Sequence, residues 1–117
     1  MPKLILFVKR KPGLTHEQFR AHYESTHAPL AWRVLPWLDR YTRNFLTPFP
    51  GQPEPPYDCV TEFWFKDEAA LRASIEWTRS EAGQVLARDE ENFMDRPTMI
   101  TFLADEVESG PRDEEYR

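Results

Sequence analysis

All three histidines of the chain, His16, His22 and His27, fall within its first 27 residues. Imidazole is the side chain whose ordinary pKa suits it to moving protons near neutral pH. The spacings are six and five. On an α-helix, at about 100° per residue, His22 and His27 stand roughly 140° apart and do not share a face as an i, i+4 pair would. No metal site is therefore expected. His16 belongs to a first helical turn and reads as an exposed residue. His22, beside Tyr23 on the boundary of the helix, reads as hydrogen-bonded structure or pocket lining. His27 falls at a helix end, where unpaired carbonyls favour the charged ring while a pocket wall would favour the neutral one. It is the candidate acid or base.

Further groups could support it. Tyr41 opens a strand and could donate its hydroxyl to a substrate oxygen. Glu62 interrupts an apolar strand, where a carboxyl turned into a cavity needs a partner and takes a raised pKa, so it is a second acid–base candidate. In the acidic run Asp89-Glu90-Glu91, only Asp89 is assigned to the apolar side with Val85 and Phe93. Tyr23, Phe63 and Phe93 complete the expected pocket wall, with His22 and Asp89. Cys59 reads as a small core thiol. There is no phosphate-cradling loop, dinucleotide fingerprint or nucleophile elbow, so the chemistry predicted is cofactor-free.

These side chains need a scaffold. Lys3 to Lys11 alternates Leu4, Leu6 and Val8 against Ile5, Phe7 and Lys9 and stops at Pro12-Gly13, which predicts a strand. Thr15 with Gln18 three residues on is a capping-box pattern opening a helix with Phe19, Tyr23 and Thr26 as its core stripe. Pro29 disfavours helical geometry at Ala28, so this helix is expected to end near His27 and a second to run from about Pro29 to Leu38. A strand at Arg40–Leu46 follows, then a proline-rich exposed connection over 47–57, and a strand at Cys59–Phe65. Asp67 caps the next helix, Gly83 interrupts it, a further helical piece spans Gln84 to Met94, and Thr98 to Val107 is the last strand.

That order is the split βαβ plan of a ferredoxin-like α+β domain, a four-stranded antiparallel sheet with helices on one face. One domain over 1–107 and an acidic flexible tail over 108–117 fit the length of 117 residues. The second sheet face is expected to carry Phe7, Phe65 or Met99 and to need covering, which predicts a homodimer. The net charge is −5, with six acids and two bases among residues 105–117. No basic stripe for nucleic acid is present in the composition. The apolar runs are too short for a membrane span or a leader, and a single cysteine suits a reducing, cytoplasmic setting.

The run Lys9-Arg10-Lys11-Pro12-Gly13-Leu14-Thr15, then Glu17-Gln18-Phe19-Arg20, His22-Tyr23 and His27-Ala28-Pro29-Leu30-Ala31, resembles the EthD family of dimeric α/β-barrel proteins. Leu35-Pro36, Arg40-Tyr41, Tyr57-Asp58, Glu62-Phe63-Trp64-Phe65, Glu81 with Gly83, and Asp89-Glu90 through Asn92-Phe93 extend the resemblance over about residues 3–107. It implies a homodimer and a pocket for a mostly apolar small molecule. A related barrel enzyme, methylmuconolactone isomerase, places a histidine and a tyrosine at the positions of His27 and Tyr41, but has a cysteine where this chain has Phe63. The expected function is a cofactor-independent acid–base enzyme, of dehydratase, cyclase, decarboxylase or isomerase type, acting on an aromatic, polyketide-like or lactone compound. The alternatives are a non-catalytic binding protein accessory to an oxidative degradation, and a monooxygenase-like barrel protein.

Overall fold

The computed structural model describes residues 1–113. β1 (Pro2–Val8) is followed by α1 (His16–His22), a π-helical turn (Tyr23–His27), α2 (Ala28–Val34), β2 (Leu38–Phe45), β3 (Cys59–Phe65), α3 (Glu68–Arg79), α4 (Gln84–Glu90), a short 3₁₀ turn (Arg96–Thr98) and β4 (Ile100–Asp105). Local chemistry starts the helices. Thr15 accepts from the Gln18 backbone N–H while the Gln18 side chain accepts from Thr15 N–H, closing the capping box. The Asp67 carboxylate caps α3 through the Ala70 N–H.

The strands form one antiparallel sheet in the order β2-β3-β1-β4, the ferredoxin-like arrangement expected. Its strands run two to three residues shorter at some ends than the sequence predicts. The helices cover the face that carries Leu4, Leu6 and Val8 of β1, Tyr41 and Phe45 of β2, and Cys59, Thr61, Phe63 and Phe65 of β3. Two buried clusters result. One gathers Val8, Phe19, Tyr23, Cys59, Phe93 and Met94, and the other Ala31, Leu35, Phe65, Leu71 and Leu86. The opposite face presents Phe7, which meets Phe102 edge-on at 5.8 Å, with Phe102 50% and Ile100 40% exposed. Phe65 and Met99, expected on that face, pack instead on the helix side. Phe65 follows the parity of Thr61 and Phe63 along β3.

Pro29 does not end the first helix. Ala28 is helical (φ −63°, ψ −45°) and its N–H bonds the Tyr23 carbonyl five residues back, so the chain stays helical from His16 to Val34. In an α-helix a proline ring collides with the carbonyl four residues back. Opening this turn to i→i+5 relieves that collision. The wider turn also resets the inward stripe to Phe19, Tyr23 and His27, all buried, and leaves Thr26 exposed. α4 ends at Glu90 rather than Met94, with turns over 91–93. Of the tail expected over 108–117, residues 108–113 are exposed and carry no helix or strand, and 114–117 lie outside the described residues. Among the described residues no helix is long and apolar enough to cross a membrane.

Candidate active site

The π turn and α4 together build the site. His27, 4% exposed, places Nδ1 2.8 Å from Asp89 Oδ2, and His22 places Nε2 3.0 Å from Asp89 Oδ1. Residues five apart on an α-helix diverge; on a turn closed by an i→i+5 bond they return to one side. Both histidines therefore reach one carboxylate, contrary to the separation their spacing predicts. The Phe93 ring braces the group, stacked on His22 at 4.7 Å and tilted against His27 at 5.0 Å. Tyr23 meets His27 edge-on at 5.6 Å.

Burial pushes the His27 pKa down and outweighs the opposing hydrogen bond to Asp89, leaving it below the ordinary 6.5. The ring is then neutral at pH 7. Burial pushes the Asp89 carboxyl up, but hydrogen bonds from His27, His22 and Asn92 outweigh it and hold the group ionised below its usual range. A carboxylate beside Nδ1 assigns the proton to Nδ1 and the lone pair to Nε2.

Nε2 lies on the side of Glu90, whose Oε2 is 3.9 Å away. Both residues line a cavity of about 270 Å³ between the sheet and α2, α3 and α4. Its walls are Leu4, Leu6, Leu35, Phe63, Phe65, Leu86 and Met99, with Ser74, Thr78, Thr101 and Arg96 as further polar groups. An apolar chamber with a few convergent polar groups is the usual form of a small-molecule site. Burial raises the Glu90 pKa against the pull of Arg96, whose Nε donates to Glu90 Oε1 at 3.1 Å. A second groove of about 310 Å³, beside His16, Arg20, Phe45 and Pro48, has no buried base held by a carboxylate.

The predicted residues separate into groups. His22, Tyr23, Asp89 and Phe93 surround His27, and Phe63 forms part of the cavity wall. Tyr41 stands behind that wall, stacked on Phe63 at 4.7 Å with its hydroxyl donating to the Tyr23 oxygen at 3.4 Å. Burial raises its pKa. Glu62 is on the other face of the sheet, where Oε2 meets Lys3 Nζ at 2.7 Å and Oε1 accepts from Thr42 and Asn44. Burial pushes Glu62 up, and these donors bring it below the ordinary range. The parity of β3 accounts for its place, since Glu62 alternates with Thr61 and Phe63. Cys59 is fully buried, its thiol pushed up to about 11 by burial.

Glu90 and Arg96 were not among the expected site residues. The signal for Glu90 lay in α4, where it stands one turn after Leu86, a core residue.

A model of the EthD domain matches residues 11–97. None of the curated proteins matches the chain. Among solved structures, an EthD family protein from Bacillus halodurans superposes with a TM-score of 0.69 at 24% identity, covering 92% of this chain and 99% of its own. A dimeric protein of unknown function and ferredoxin-like fold from Bacteroides fragilis gives 0.58 at 8%, covering 89% and 94%. An antibiotic biosynthesis monooxygenase gives 0.56 at 19%, covering 92% and 100%. At these identities the structures share the fold, and the domain match over most of the chain carries the assignment. The chain belongs to the EthD family.

Proposed function

We propose that the protein is a cofactor-independent acid–base enzyme of lyase or isomerase type, acting on a small, mostly apolar aromatic, polyketide-like or lactone compound. The observation that carries this reading is His27 itself: a buried neutral imidazole, fixed by Asp89 through Nδ1, lining an apolar cavity with Nε2 on its Glu90 side. A base must be positioned and have a pKa suited to neutral pH. Asp89 orients it, and Tyr41 supports the Phe63 wall. The apolar outer face of the sheet, with Ile100 and Phe102 exposed, supports a twofold homodimer, and one structure of this fold is itself described as dimeric.

The test is a thermal-shift screen of phenols, polyketide-like aromatics and lactones on wild type and His27→Ala, with each hit followed by mass spectrometry. A bound ligand stabilises the fold by mass action. Conversion by wild type, with binding but no conversion by His27→Ala, supports the enzyme. Equal binding with every hit unchanged overturns it in favour of a binding protein.

A further inference from the structure

The cavity holds a second titratable group. Glu90 has a 15% exposed side chain and divides its two oxygens between different tasks. Oε1 is held by Arg96 at 3.1 Å, while Oε2 lies 3.9 Å from His27 Nε2. That gap exceeds a hydrogen bond. It leaves the two groups side by side on the cavity, each able to address a different atom of one bound molecule. Asp89, by contrast, is occupied by the two histidines.

Proton removal by a neutral base in an apolar chamber leaves negative charge on the substrate. Unneutralised, that charge is costly. Arg96, the cation lining the cavity, is engaged by Glu90 and Glu91, so it is poorly placed to hold a substrate carboxylate or phosphate. A proton donor beside the base solves the problem for a neutral substrate. The two substrate atoms must then be close neighbours, as a carbon and the oxygen of its adjacent carbonyl are.

We infer that Glu90 is a second proton-transfer residue of the cavity, and that the substrate class is a neutral, enolisable carbonyl compound with an apolar body. This rests on the acid–base reading of His27 and deepens it. His27 Nε2 takes the proton from the carbon next to the carbonyl. The C–H electron pair becomes the C=C bond, the carbonyl π pair moves to oxygen, and that oxygen takes the Glu90 proton. Reversal returns a proton from His27 to carbon and restores Glu90, so the cycle needs no oxidant or cofactor. Burial lowers His27 and raises Glu90. This brings the two groups closer in proton affinity and favours the pairing of neutral imidazole with protonated carboxyl.

The experiment is exchange of α-hydrogen for deuterium in D₂O, followed by NMR on α-tetralone and dihydrocoumarin. Wild type is expected to exchange at least one probe above the buffer rate, and His27→Ala to fall to that rate. Glu90→Gln is expected to lose about a hundredfold or more while binding the probe as wild type does. Glu91→Gln, which removes an exposed partner of Arg96, is expected to match wild type. Should Glu90→Gln melt below the assay temperature, Glu90→Asp keeps the carboxyl but withdraws it from His27 and is expected to lose about tenfold or more. Exchange at the wild-type rate in a folded Glu90 variant overturns this inference and leaves His27 untouched. No exchange by wild type, or undiminished exchange by His27→Ala, overturns both.

Discussion

His22 and His27 are five residues apart and contact the two oxygens of a single carboxylate, Asp89, at 3.0 and 2.8 Å. The i→i+5 turn between them makes this possible, and Pro29 sits where that turn hands over to α2. A residue that disfavours an α-turn thus coincides with the distortion that aims His27 at the cavity. π turns are rare and concentrate at functional sites. This one carries His27, the proposed base.

Asp89→Asn retains the shape of the carboxylate and removes its charge. The charge and hydrogen bond of Asp89 both raise the His27 pKa against burial, so the variant is expected to lower that pKa further. It also permits the wrong ring tautomer. The expected loss in turnover is about 10² to 10⁴-fold, with ligand binding retained. An NMR titration of the His27 ring beside the rate measurement checks both parts, and an unchanged His27 titration would count against Asp89 as its orienting partner.

The Tyr23 hydroxyl lies 2.6 Å from Thr61 Oγ1 and accepts from Tyr41. Thr61 is fully buried. Among the described residues, Tyr23→Phe leaves the Thr61 oxygen with a long contact to the Cys59 sulfur at 3.6 Å, and is expected to destabilise by about 1–3 kcal/mol. Tyr41→Phe breaks the longer bond alone and is expected to cost about 0.5–1.5 kcal/mol with turnover retained. Urea melts and a rate assay on the pair decide. Turnover lost in Tyr41→Phe, with binding intact, restores Tyr41 as a donor to substrate.

Much of this architecture is legible in the sequence because local signals and burial agree. Thr15 with Gln18, Asp67, and the alternation of Leu4, Leu6 and Val8 with Ile5 and Phe7 each lead to the observed element. Local rules mislead where tertiary packing overrides them. The rule for residues before proline predicts a helix boundary at Pro29, although a widened turn accommodates it. The acidic run places only Asp89 on the apolar side, although the one-turn relation of Glu90 to Leu86 directs Glu90 inward as well. The apolar neighbours of Glu62 in sequence predict a cavity for it, whereas strand parity pairs it with Val60 and Trp64 on the far face.

His27 and Glu90 affect stability with opposite signs. His27 faces Asp89, His22 and Glu90; Glu90 faces His27, Arg96, Asp89 and Glu91. The folded pKa of His27 lies below 6.5, so the unfolded chain takes its proton first as pH falls, and stability is lost below that value. Asp89, depressed below 3.8, adds a loss in the same direction at lower pH. Glu90 is raised above 4.5, so the unfolded chain releases its proton first as pH rises, and stability is lost upward from that value to the folded pKa. Urea midpoints from about pH 4 to 8 are expected to show wild type losing ground to His27→Gln toward acid and to Glu90→Gln toward alkali. Parallel curves in either comparison would contradict the corresponding shift.

Gly83 controls where α4 stands. Ser80 ends α3, its hydroxyl donating to the Trp77 carbonyl and accepting from the Gly83 N–H, and α4 begins at Gln84. The reversal is so tight that a Cβ on Gly83 would overlap the backbone carbonyls of Trp77 and Thr78. Neither carbonyl can move without disturbing the end of α3, so Gly83→Ala is expected to destabilise by about 1–3 kcal/mol, a fall in Tm of about 4 °C for each kcal/mol. Because α4 carries Asp89 and Glu90, the displacement is also expected to loosen their geometry around His27. A shift of about 1 Å at such a group reduces rate about a hundredfold. Gly110→Ala, where an added Cβ meets nothing within 4 Å, is the control and is expected to melt and turn over as wild type. If Gly83→Ala melts with that control, the close approach of α3 and α4 does not position the two carboxyls.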